Sequence, residues 1–193
     1  MDRLYLTPGE MIAAYSAAGR GKLNRPTASL LLLGILAGAI IAVAGAATNT
    51  AAYGIADTWT LRTVCALLFP FGLGLGVVTG SELFTGNCML PITLLDGGGT
   101  VGQLLRNWAL SYLGNILGAG LVAALCVFCG QLDYSAGALA VYTIRVGAAK
   151  CAMSFGNAFG LGILCNFLVC LGVLAANSAK DTAGRLLGAY LPV

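Results

Sequence analysis

Residues Gly80-Ser81-Glu82-Leu83-Phe84-Thr85-Gly86-Asn87 set a carboxylate between two glycines inside an otherwise apolar run. Cys65 to Thr79 before it carries no charge, and neither does Cys88 to Leu95 after it. A charge at bilayer depth is costly and faces protein or water. Backbone that leaves the helix at that depth is tolerated only where protein buries it or where it lines a cavity. The stretch therefore predicts a broken membrane helix at a conduction site, not a lipid-facing span.

The remainder of the chain supports a polytopic membrane protein. Of its 193 residues, 59% are hydrophobic and 9% charged, and mean hydropathy is +0.90. Soluble domains carry about 25% charged residues. Glycine is frequent, 28 of 193, and small residues let membrane helices approach closely. The net charge of +3 is modest, and Lys and Arg gather at span ends, so no nucleic-acid surface is expected. Seven cysteines fall mostly in apolar segments and read as packing residues. Cys126 and Cys129 have redox or metal spacing, but the chain has no histidine and no second such pair. No metal or cofactor is expected.

Thr7-Pro8-Gly9-Glu10 has the form of a helix start with a capping box, and residues 1–25 are expected to hold a cytoplasmic, interfacial helix. Spans are expected at about 27–47, 63–95 (broken at 80–87), 104–128 and 151–176, each near the roughly 20 residues a bilayer requires. Gln131 to Thr143 reads as a loop. Leu186 to Val193 starts a fifth apolar segment but, at eight residues, is too short to cross. Either the chain is a fragment or this piece lies at the surface. With the N-terminus inside, seven basic residues (Arg3, Arg20, Lys22, Arg25, Arg106, Lys180, Arg185) lie on the cytoplasmic side against three outside (Arg62, Arg145, Lys150), which favours that orientation. Gly114-Asn115-x-x-Gly118-x-Gly120-Leu121 recurs as Gly156-Asn157-x-x-Gly160-x-Gly162-Ile163. Two helices solving one packing problem, or a trace of duplication, would produce it.

Three groups could carry chemistry. At the break, amides exposed at the start of the second half-helix and the Thr85 hydroxyl favour an anion or polar solute. Glu82, with Gly86 and Asn87, would brace the break by accepting loop N–H groups, and a kinked helix with a satisfied polar patch is the plainer alternative. Lys150 would attract anions if buried at the outer mouth, and reads equally as a snorkelling lysine. Asn166, alone in an apolar helix, reads from its surroundings as interhelical glue.

Gly80 to Asn87 resembles the signature stretch of the formate–nitrite transporter family. Asn107-Trp108 with Tyr112 to Asn115, Lys150 with Gly162 to Leu171, Lys180-Asp181 and the terminal Leu191-Pro192-Val193 are similar to that family's motifs in the same order. The resemblance covers nearly the whole chain. It implies an all-α, aquaporin-like fold with broken helices, assembled as a homopentamer with one pore per protomer. It places Thr85 at the pore centre, Phe84, Leu73 and Val169 at an inner apolar constriction, and Phe69 and Asn166 near an outer one, with Lys150 polarising the site from outside. Substrates would be small monovalent anions or their weak acids: formate, nitrite, lactate, hydrosulfide. The family's pore histidine would fall about ten positions beyond Val193, so the second inverted repeat is expected to be incomplete and residues 1–193 alone are not expected to conduct.

The expected function is thus passive or proton-coupled passage of such anions through the inner (cytoplasmic) membrane, with the N-terminus in the cytoplasm. Alternatives are a channel for water or neutral solutes, or a non-conducting membrane subunit. An enzyme is not expected, since neither clustered acids nor metal ligands appear.

Overall fold

The computed structural model describes Arg3 and residues 5–193. Apart from an isolated antiparallel bridge between Tyr5 and Ala179, the regular elements among the described residues are all helical. Helix α1 (Pro8–Leu23) starts at the expected capping box: the Thr7 amide donates to Glu10 Oε2 at 2.7 Å. Helices α2 (Thr27–Ala52), α3 (Thr58–Leu68), α4 (Phe71–Thr79), α5 (Phe84–Asn87), α6 (Pro91–Leu95) and α7 (Val101–Phe128) follow. A 3-10 turn at Gln131–Asp133 leads to α8 (Ala138–Cys151), α9 (Phe155–Ser178) and α10 (Thr182–Tyr190). Four segments are long and apolar enough to cross a membrane: Thr27–Ala52, Thr58–Thr79, Val101–Phe128 and Phe155–Ser178.

Close packing of α2 on α7 holds the fold together. Lipid tails are as apolar as leucine, so helix association in a bilayer rests on packing and hydrogen bonds rather than on the hydrophobic effect. Small residues serve that need here. Gly34 and Gly38 of α2 face Gly114, Asn115 and Gly118 of α7. A Cβ placed on Gly114 would lie 2.9 Å from the Gly34 backbone, and one on Gly118 would run into the Ile35 carbonyl. Two apolar clusters flank this pair. Leu23, Leu90 and Leu104 join α1 to α7, with Leu94 and Trp108 against them. Leu73, Ala176 and Ala189 join α4, α9 and α10, with Val77, Leu83, Val169 and Val173 against them.

The structure departs from the sequence expectation in two places. Residues 138–143, expected within the 131–143 loop, are the first turns of α8, so Lys150 sits in the last turn of that helix and the following span begins at Phe155 rather than near 151. Residues 182–190 form a short capped helix whose Asp181 carboxylate accepts from the Gly184 amide at 2.8 Å. Gly188 of that helix presses on the Ala175–Ala176 backbone.

Candidate functional site

The second apolar segment is interrupted in a defined way. Helix α4 ends at Gly80 with φ +65°, a left-handed conformation that glycine adopts without a Cβ clash. The Gly80 amide donates to the Val77 carbonyl at 3.2 Å and the Ser81 amide to Gly76 at 3.1 Å, the Schellman pair that closes a helix C-terminus. Ser81 to Leu83 then runs without helix before α5 begins.

Neighbouring elements satisfy the freed backbone. The Glu82 amide donates to the Leu33 carbonyl of α2 at 3.1 Å. One side chain of α7 does most of the remainder. Asn115 Oδ1 accepts the Phe84 amide at 2.9 Å, and its Nδ2 donates to the carbonyls of Gly34 (2.9 Å) and Glu82 (3.0 Å). Trp108 Nε1 donates to the Asn87 carbonyl at 2.9 Å, and the Tyr15 hydroxyl to that of Gly86 at 3.0 Å. The amides of Thr85 and Gly86 have no acceptor among the described residues.

Glu82 is fully buried, with 0% exposure. Its carboxylate does not accept the loop amides expected of it. Glu82 Oε2 accepts instead from Lys22 Nζ at 2.9 Å and from Asn87 Nδ2 at 2.8 Å. Arg25 Nε lies 3.5 Å from Glu82 Oε1. Asn87 Oδ1 accepts from Lys22 at 3.0 Å, Asn87 Nδ2 also reaches Asn107 Oδ1 at 2.9 Å, and Asn107 Nδ2 donates back to the Lys22 carbonyl at 3.3 Å. The ring links the end of α1 to the break and to α7. Two cations against one carboxylate leave this corner net positive. A cavity of about 230 Å³ opens beside it, lined by Tyr15, Lys22, Arg25, Leu73, Glu82 and Val173 among others.

The other candidate residues divide. Leu73 is buried in the cluster that Val169 packs against. Phe84 does not join them there: its ring meets Tyr112 edge-on at 5.3 Å and Trp108 at 6.4 Å. Thr85 and Asn166 are half-buried and joined through Cys170, whose thiol reaches the Thr85 carbonyl at 3.6 Å and Asn166 Oδ1 at 3.9 Å. Phe69 caps α3 and is 39% exposed. Lys150 is exposed and makes no ion pair among the described residues. Sequence reading missed Lys22, Arg25 and Asn107 as site residues. The first two counted only as topology signals. Asn107, next to Arg106 at the start of a span, and Asn115, between Gly114 and Ile116, gave no sign of their targets.

Comparison with known proteins bears on this arrangement. The family profile described as "Formate/nitrite transporter" matches residues 9–193. The "Probable formate transporter" of Methanothermobacter thermautotrophicus is 34% identical over 211 aligned residues, covering 100% of this chain and 77% of that protein. A solved "FNT family ion channel" superposes with a TM-score of 0.85 at 25% identity, over 95% of this chain and 74% of its own. A "Pentameric formate channel with formate bound" superposes with a TM-score of 0.77 at 29% identity, over 86% of this chain and 66% of its own. A family match along nearly the full length, on a fold that superposes on a solved FNT channel, makes this multi-pass membrane chain a member of the formate/nitrite transporter family, whose members transport rather than catalyse.

Proposed function

We propose that the chain provides the Thr85 side of a channel for formate or a closely similar monovalent anion, which crosses past Thr85 as the anion or as its weak acid. The observation that carries this reading is the Asn115-held break. It secures the backbone on its α7 side and leaves the Thr85 and Gly86 amides free beside a hydroxyl. Amides and a hydroxyl fixed before the solute arrives need little reorganisation to bind it. Lys22 and Arg25 give the adjoining cavity a positive bias that concentrates anions. Leu73 and Val169 form an apolar step. Such a step opposes a bare anion, because desolvating a charge without a partner is costly, and it favours the protonated acid. Passage is therefore passive or coupled to a proton.

The helices that cross the bilayer are those at 27–52, 58–79, 101–128 and 155–178. Burying α1 and its basic residues on the cytoplasmic face of the inner membrane agrees with the charge bias of the sequence. A homopentamer, as in the solved relative, is the assembly proposed, with native mass spectrometry in detergent as its check. Formate and hydrosulfide uptake into liposomes tests the passage. Thr85→Val is expected to lower uptake by about tenfold, the equivalent of about 1.4 kcal/mol. Unchanged uptake by a fully assembled T85V protein overturns the reading.

A further inference from the structure

A second cavity lies away from the break, between the Ala52 end of α2, the Phe128 end of α7 and the first turns of α8. It holds about 300 Å³, the size at which small-molecule sites begin. Its two ends differ in chemistry. Gly45, Ala46, Val122, Cys126 and Leu139 give it apolar walls, and a Cβ added to Gly45 would meet nothing within 4 Å. One turn further along α2, Asn49 and Thr50 gather with Gln131 and Thr143 into a polar end. Asn49 Nδ2 donates to Thr143 Oγ1 at 3.3 Å, and Gln131 Nε2 donates to Thr50 Oγ1 at 3.1 Å. These bonds leave Asn49 Oδ1, Gln131 Oε1 and the Thr143 hydroxyl hydrogen without a protein partner among the described residues. No charged residue lines the cavity among the described residues.

We propose that this cavity binds a small neutral amphiphile, a single hydroxyl on a short apolar body such as a medium-chain alcohol, with the hydroxyl set among Asn49, Gln131 and Thr143. A hydroxyl both donates and accepts, so it can donate to either carboxamide oxygen while accepting from Thr143. A carboxylate or ammonium head would enter without a counter-charge, at a desolvation cost that a neutral head escapes. A plain hydrocarbon would leave the free polar groups without a partner. Ala123 and Val127 border the cavity and are exposed on the flank of a membrane-spanning helix, so the ligand enters from the bilayer, where its apolar body concentrates it. Along α2, the lining residue nearest the break is Ala42, nine residues from the Leu33 carbonyl that holds Glu82, or about 13 Å of helix. The cavity is therefore separate from the passage, and the inference does not rest on the function proposed above.

The test uses an octanol carrying a diazirine on its chain, applied to the full chain in phosphatidylcholine nanodiscs. After irradiation, peptide mass spectrometry is expected to find the label on residues 42–50 and 122–132. Excess octanol is expected to suppress it, whereas octane or octanoate at equal concentration in the bilayer leaves it in place. Gly45→Leu puts a side chain into the open space and is expected to abolish the label. Gln131→Leu with Thr143→Val is expected to lower it by about tenfold and to let octane compete as well as octanol, a change of preference that a general loss of fold would not produce. Label spread over the exposed residues of all four spans, label that survives G45L, octane competing equally on the unaltered chain, or no label at all overturns the site and leaves the proposed function standing.

Discussion

The same eight-residue pattern occurs on α7 and on α9, and the two copies behave differently. On α7, Gly114 and Gly118 are buried against the α2 backbone, and Asn115 ties three main-chain groups of the break and of α2. On α9, a Cβ added to Gly156, Gly160 or Gly162 would meet nothing within 4 Å among the described residues. Asn157 there contributes its backbone amide to the Ser154 cap, at 3.3 Å. A small-residue pattern thus gives a helix the capacity for close approach, and the neighbour decides whether it is used. The difference also separates two kinds of structure. The break at 80–87 is enclosed by polar partners from α1, α2 and α7, whereas α9 buries only Gly172 and Ala176.

Substitutions in matched pairs would break or sharpen this contrast. The largest effect is expected from Lys22→Met, which takes the nearer of two cations from the fully buried Glu82 carboxylate and leaves Arg25 Nε at 3.5 Å. Removing one partner of a buried ion pair costs about 3–5 kcal/mol. Lys150→Met, at an exposed position, is expected within about 0.5 kcal/mol of wild type. Thermal unfolding in detergent compares the two, and equal melting temperatures would show that the ring does not hold the break.

Next comes Asn115→Leu, which leaves the Phe84 amide and two carbonyls without their partner. A loss of about 3 kcal/mol is expected, with formate uptake falling in parallel, against little change for Asn157→Leu. Stability without uptake loss would mean that the break keeps its shape by other means. Gly118→Ala follows, at about 1–3 kcal/mol for a forced backbone shift, with Gly160→Ala near neutral. If the two alanines cost the same, the second pattern is packed after all, and the contrast between helices fails.

The smallest effect concerns pH. The Ser16 hydroxyl and then Arg20 hold the Asp96 carboxyl below its ordinary value of 3.8. Asp96 is exposed, so the contribution is small. A depressed carboxylate stabilises the fold above its unfolded value, and that help is lost as pH falls below 3.8 through the folded value. Hydrogen exchange of α1 should therefore quicken below that pH, while the Tyr15–Gly86 bond, which does not titrate there, keeps α1 on the break. Asp96→Asn should show the faster exchange already at neutral pH and flatten the acid response.

These contrasts also indicate what the sequence could disclose. The interruption is legible because a glycine, a carboxylate and a second glycine punctuate an apolar run within a few residues. The helical membrane class is legible from composition. The family is legible from several motifs in one order. The Lys22–Glu82 contact is not, because its partners lie 60 residues apart and a lysine near a span end also satisfies the topology rule. Helix α8 escapes because it is short, begins after a left-handed Gly137 and carries Arg145 and Lys150, so it reads as a connection. The division of the pore candidates, with Phe84 turned toward Tyr112 and Trp108, depends on ring packing that no local pattern encodes.

The bridge between Tyr5 and Ala179, reinforced by the Leu6 amide on the Ser178 carbonyl at 2.8 Å, bears on biosynthesis. Synthesis runs from the amino end, so Tyr5 emerges long before its mate exists. This clasp can shut only after the ribosome has passed codon 179 and α9 has been threaded into the lipid. The earliest part of the polypeptide is in this sense finished among the latest, and its protection from a protease would report that insertion has run to completion.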